Sequence, residues 1–179
     1  MDLPANWQYL SPYGTNGTYG PSYGDPLYAS PFTNCPSLKR LVLPEGNTYV
    51  VVYAFKDMKS LEEIVLPESL VTVSEGAFSG CSNLKSVVIP DTVTEIYARA
   101  FDGCTSLTSV KLPAALETIY AYAFNDCTSL PRIELPEGLI TIYGRAFNNC
   151  STLSEVVFPT TWYGFGPYGY STDYNMSAG

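Results

Sequence analysis

Residues 90–112 read PDTVTEIYARAFDGCTSLTSVKL, and most of the chain on either side is built from copies of this stretch. Proline recurs at Pro21, Pro44, Pro67, Pro90, Pro113, Pro136 and Pro159, a strict interval of 23 residues. With only 14 prolines among 179 residues, such an in-phase series requires a structural cause. A fixed period of about 20–50 residues is the mark of stacked repeats.

The physics of one copy can be read from its spacing. LTSVKL, with its relatives LKSVVI and LPRIEL, alternates apolar and variable residues, so Val110 and Leu112 point inward and Lys111 outward, as in a short strand. The proline that follows cannot donate to a sheet ladder and ends each strand at the same height in the stack. Next come Val93 and Ile96, three apart, and then Ala100, Phe101 and Cys104, which this spacing places on one side of a helical turn or short 3-10 segment. One copy thus offers about eight apolar side chains that only stacking can bury. The expected fold is an α/β repeat: a right-handed solenoid with a short parallel β-sheet on one side and helical or 3-10 turns on the other. Ile96, Phe101, Leu107, Val110 and their equivalents should form one continuous core.

Three regions follow from the phase. Residues 1–20 fit no repeat and are rich in Tyr, Gly, Pro, Asn and Ser, the composition of turns and irregular structure. Residues 21–158 make six 23-residue coils, the first two degraded, since Gly24 and Asn47 stand where Val93 stands and Met58 replaces the cysteine. Residues 159–179 hold a partial coil, with Trp162 and Phe165 in two core slots, and then an aromatic, Gly-rich tail.

The pattern LPxxLxxIxxxAFxxCxxLxxVxL, carried best by residues 112–135 (LPAALETIYAYAFNDCTSLPRIEL), resembles the BspA-like class of leucine-rich repeats. The resemblance extends over about residues 21–165 and departs where Tyr97, Tyr120 and Tyr143 stand in place of a common glycine. It implies an extracellular or cell-surface protein acting in adhesion and protein binding, with no catalytic residue set.

Bulk composition removes several function classes. The net charge is −8, from 9 basic and 17 acidic residues, and no basic cluster exists to hold a phosphate backbone, so nucleic acid is not an expected partner. No stretch approaches the ~20 apolar residues of a membrane span, and the amino terminus lacks the charged and apolar regions of an export signal. The chain therefore reads as soluble, without membrane insertion. Histidine is absent, so a Ser or Cys nucleophile lacks its usual base, and the recurring Ser37, Ser60, Ser106 and Ser129 read as turn residues. Glu62 and Glu63 are adjacent and point to different sides, so neither they nor any other pair suggests an enzyme. Asp57 and Asp126 share a repeat slot that Gly80, Gly103 and Asn149 fill elsewhere, a poor calcium pattern. No cofactor is expected.

Cys35, Cys81, Cys104, Cys127 and Cys150 all occupy one slot, without the CxxC or Cys/His spacing of a zinc site. They read as buried, reduced packing residues rather than as metal ligands or disulfides. Sequons occur at Asn16, Asn149 and Asn175; Asn149 precedes a core cysteine and reads as a turn residue, leaving Asn16 and Asn175 as possible glycosylation sites.

Two surfaces are candidates for partner binding. Tyr97, Tyr120 and Tyr143 recur directly after inward Ile residues and should face outward as a stacked strip, serving either coil-to-coil stability or a glycan or protein partner. On the strand side the outward slot reads Val42, Val65, Val88, Lys111, Glu134, Val157, and its three adjacent valines form an apolar patch suited to protein contact. Aromatic ends, including Trp162 and Phe165, add the expectation that the tails either cover the chain's own ends or join copies head to tail into a filament.

Overall fold

The structure, a computed structural model, describes Phe32 and residues 35–160. Within them the chain forms a parallel β-solenoid of about five turns. Eleven short strands alternate between two sides: β1 (Arg40–Val42), β2 (Tyr49–Val50), β3 (Glu63–Val65), β4 (Thr72–Val73), β5 (Ser86–Val88), β6 (Glu95–Ile96), β7 (Ser109–Lys111), β8 (Thr118–Ile119), β9 (Arg132–Glu134), β10 (Thr141–Ile142) and β11 (Glu155–Val157). The expected strand side holds β1-β3-β5-β7 in one sheet and β9-β11 in another; the second side holds β2-β4-β6-β8-β10. Every pair is parallel, and partners sit one repeat apart, as in Val87↔Val110 and Ile96↔Ile119.

The expected helical or 3-10 side does not form; no helix occurs among the described residues. Ile96, read as part of a helical turn, lies in a two-residue strand. The reason is visible in the hydrogen bonds of residues 99–103. The Phe101 N–H donates to Ala123 C=O in the next coil (2.8 Å) and the Gly103 N–H to Asn125 C=O (2.8 Å), while the intervening Asp102 N–H donates back to Arg99 C=O (3.1 Å). Alternate donors are thus spent between coils. Left-handed backbone at Arg99 (φ 57) and Gly103 (φ 73) breaks any helical run, because that conformation reverses the local winding.

The core is continuous. Phe55, Phe78, Phe101, Phe124 and Phe147 stack ring on ring at 5.2–5.4 Å. The first four are completely buried, each worth about 2–3 kcal/mol in apolar transfer. Ile96 and Leu107 are buried with them, but Val110 is only half-buried.

That exception marks the split between β7 and β9. Elsewhere on this side the coils are joined by rungs such as Leu43 N–H to Val65 C=O (3.0 Å), Ile89 to Lys111 (3.0 Å) and Leu135 to Val157 (2.9 Å); the matching rung from Leu112 to Glu134 is missing. At the strand entrance Lys85 N–H donates to Glu62 C=O (3.2 Å), Thr108 to Lys85 (2.9 Å) and Ser154 to Pro131 (3.0 Å). The residue that should donate to Thr108 is Pro131, which has no N–H. One proline therefore opens the outer sheet while the second sheet stays paired.

Candidate interaction surfaces

On the outer sheet, Val65 and Val88 are exposed, Val88 by 58%, and Val42 is half-buried beside them in register with Val65. Lys111 and Glu134 continue the column in exposed positions, and Val157 is half-buried. Ion pairs rim the valines. Glu62 lies between Lys39 (2.7 Å) and Lys85, and Arg40 meets Glu63 at 3.1 Å. Hydrogen bonds from the two ammonium groups, with their charge, hold the Glu62 carboxyl down at about 2.

The tyrosine strip flanks the second sheet. Tyr97 and Tyr120 stack at 4.9 Å and 12°, and Tyr120 and Tyr143 at 5.0 Å and 6°; all three are half-buried. One carboxylate pins two of them, since Glu95 accepts from the Tyr97 hydroxyl (2.9 Å) and the Tyr120 hydroxyl (3.0 Å). Those hydrogen bonds are the chief cause that raises both phenols, Tyr120 to about 12.

A second aromatic column escaped the sequence reading. Tyr122 lies between two guanidinium groups, Arg99 at 4.9 Å and Arg145 at 5.8 Å from its ring centre, and Arg145 Nη1 donates to its hydroxyl (2.7 Å). The Arg-Tyr-Arg series at 99, 122 and 145 was the available signal, and it matches cation–π geometry. An amide ladder runs beside it. Asn148 Nδ2 donates to Asn125 Oδ1 (2.7 Å), and Asn125 Nδ2 to Asp102 Oδ1 (2.7 Å), which satisfies the buried Asn125.

The slot of Asp57, Gly80, Gly103, Asp126 and Asn149 is left-handed throughout, which explains its restriction to residues that tolerate this backbone. No group of three metal-ligating side chains occurs among the described residues. Asn149 is indeed a turn residue, and its Nδ2 donates to Asp126 Oδ1 (2.9 Å). Cys81, Cys104 and Cys127 are buried free thiols. Cys35 and Cys150 are only half-buried, contrary to the expectation of five inaccessible thiols, because they belong to the first and last coils.

The carboxyl end of the stack is open. Val156 is 38% exposed where its equivalent Ile133 is 1%, and Phe158 is 42% exposed where Leu135 is 4%. At the other end Leu41 and Leu43 are already buried. Trp162, Phe165, Asn16 and Asn175 lie outside the described residues, as do residues 1–20 and most of the region from 159 onward.

Parallel strands at a 23-residue period, joined by turns around an Ala-Phe-x-x-Cys core, define a leucine-rich-repeat solenoid. The sequence matches the BspA type leucine rich repeat region in six copies, over residues 26–107 and 48–177, and the chain belongs to that family. It is similar to the leucine rich repeat protein of T. pallidum, with 32% identity over 74% of this chain and 62% of that one, at a TM-score of 0.69. A leucine rich cell surface protein of Faecalibacterium prausnitzii is 30% identical over 72% of this chain and 35% of its own, at a TM-score of 0.59. A leucine-rich repeat protein of Bacteroides ovatus is 28% identical over 73% of this chain and 40% of its own, at a TM-score of 0.53. The chain therefore spans between about a third and two thirds of these proteins. No curated protein matches it.

Proposed function

We propose that this chain is a non-catalytic structural or adhesive module of a cell surface that binds protein, copies of itself included. The observation that carries this reading is the Val65–Val88 patch with its charged rim of Lys39, Glu62, Lys85, Arg40 and Glu63. An apolar centre depleted of charge and ringed by polar groups is the anatomy of a protein interface. Similarity to a cell surface protein of Faecalibacterium prausnitzii supports the location.

Self-association uses the terminal coils, with Trp162 and Phe165 among the contact residues. The exposed Val156 and Phe158 at one end and the buried Leu41 and Leu43 at the other make the two ends unlike, so a contact between them is heterologous and propagates unless it closes a ring. Sedimentation and light scattering over a concentration series, with negative-stain imaging, test this. A full-length chain that stays monomeric throughout, and is unchanged by Val88→Glu or by deletion of residues 1–20, ends the self-association reading.

The glycan reading of Tyr97, Tyr120 and Tyr143 is the weaker one. Their faces are spent on one another at about 5 Å, leaving edges rather than a platform for sugar rings. The strip serves coil-to-coil stability better, and retained glycan-array binding in wild type with loss in Tyr120→Ala would reverse that ranking.

A further inference from the structure

The split between β7 and β9 coincides with a groove of about 670 Å³, bordered by Thr108, Val110, Lys111, Leu112, Arg132 and Glu134. This volume lies within the range of about 300–1,000 Å³ typical of ligand sites. Its cause is chemical rather than accidental, because Pro131 cannot supply the N–H that every other described coil junction on this face receives at that height. The opening reaches the core. Val110 is half-buried, whereas Leu41, Ile64, Val87 and Ile133 in the same inward slot are buried.

The missing rungs leave the Leu112 N–H on one lip and the Glu134 C=O on the other, with the Thr108 C=O at the strand entrance. Donors and acceptors at strand spacing over an apolar floor are complementary to an extended main chain. Charge narrows the choice. Asp91, Glu134 and Glu137 line the groove against Lys111 and Arg132, and Arg132 is already engaged by Glu134 (3.3 Å) and Glu155 (2.9 Å). With a chain charge of −8, the site favours a basic segment over an acidic one.

We propose that this groove binds a short extended peptide segment of a partner protein, basic in character, through main-chain hydrogen bonds to Leu112, Glu134 and Thr108 and apolar contact with Val110. The proposal rests on the protein-binding reading and names a partner class for it, but it does not use the valine strip.

The probe is acetyl-Thr-Val-Lys-Val-Thr-amide, titrated into the full ¹⁵N-labelled chain at low salt, beside its Glu analogue and a version N-methylated at both valines. The expected result is a saturable shift of the Leu112 amide, binding several-fold weaker for the Glu analogue, and loss of at least tenfold on N-methylation. Pro131→Thr installs the residue type found at Thr108, restores the donor, protects the Leu112 amide from exchange and weakens binding at least tenfold. Val88→Glu leaves peptide binding unchanged even where it abolishes self-association, which separates the two readings. Several results overturn the proposal: no shift at millimolar peptide, equal binding of the N-methylated or Glu peptide, a Pro131→Thr chain that binds as wild type, or one whose Leu112 amide stays unprotected.

Discussion

The Sγ of Cys104 donates to the carbonyl oxygen of Phe78, 3.3 Å away and 26 residues earlier in the chain. The same bond joins Cys81 to Phe55 (3.1 Å), Cys127 to Phe101 (3.3 Å) and Cys150 to Phe124 (3.2 Å). The cysteine slot thus asks for a small apolar volume that also carries a weak donor. Cys104→Ala should cost about 1–2 kcal/mol by urea denaturation, the sum of a small void and a modest hydrogen bond. An unchanged midpoint would show that the bond is geometric coincidence.

Phe124 stacks between Phe101 (5.2 Å) and Phe147 (5.3 Å) and is fully buried. Phe124→Ala leaves a void that the neighbouring coils cannot close, since rungs on both sides fix their spacing. The expected loss is about 3–5 kcal/mol. Thermal and chemical unfolding should agree on it.

Two glycines in left-handed backbone separate conformational cost from steric cost. A Cβ on Gly103 (φ +73) meets nothing closer than Gly80 at 3.7 Å, so Gly103→Ala should cost only about 1–2 kcal/mol of backbone strain. A Cβ on Gly76 (φ +58) falls 2.1 Å from the ring of Tyr53, whose hydroxyl is fixed to Glu75 (2.9 Å). Gly76→Ala should therefore lose about 3 kcal/mol or more. Equal losses in the two variants would refute the distinction.

Burial drives the thiols of Cys81, Cys104 and Cys127 upward, Cys81 to about 12. Thiol titration in native buffer should find these three unreactive until denaturant is added, with Cys35 and Cys150 modified first. Five equal rates would contradict the burial pattern.

The same shifts give stability a pH dependence at both extremes. A thiol raised in the fold stays neutral where the unfolded chain ionises, so stability is full below about pH 9 and falls as pH climbs from there towards 12. Glu62 acts in the opposite sense. Its carboxyl, lowered to about 2 from 4.5, supports the fold above pH 4.5 and loses that support as pH falls through the interval to 2. Chemical denaturation from pH 2 to 12 should show a plateau between these limits; Glu62→Gln should flatten the acid limb.

Much of the architecture was legible in one dimension. The proline period, the alternation through Val110 to Leu112 and the Ala-Phe-x-x-Cys spacing determine a stacked solenoid with a phenylalanine spine, because each 23-residue coil leaves apolar side chains that only identical neighbours can cover. What the sequence could not decide was where the backbone donors go. Whether the Phe101 N–H bonds within its own turn or to Ala123 in the next coil depends on the approach of that coil, and the choice turns an expected helix into a turn ladder and makes room for a second sheet. The split at Pro131 is of the same kind. The proline is plain in LPRIEL, yet its consequence, an open groove that exposes Val110, exists only where a neighbouring strand waits for a hydrogen that proline does not have.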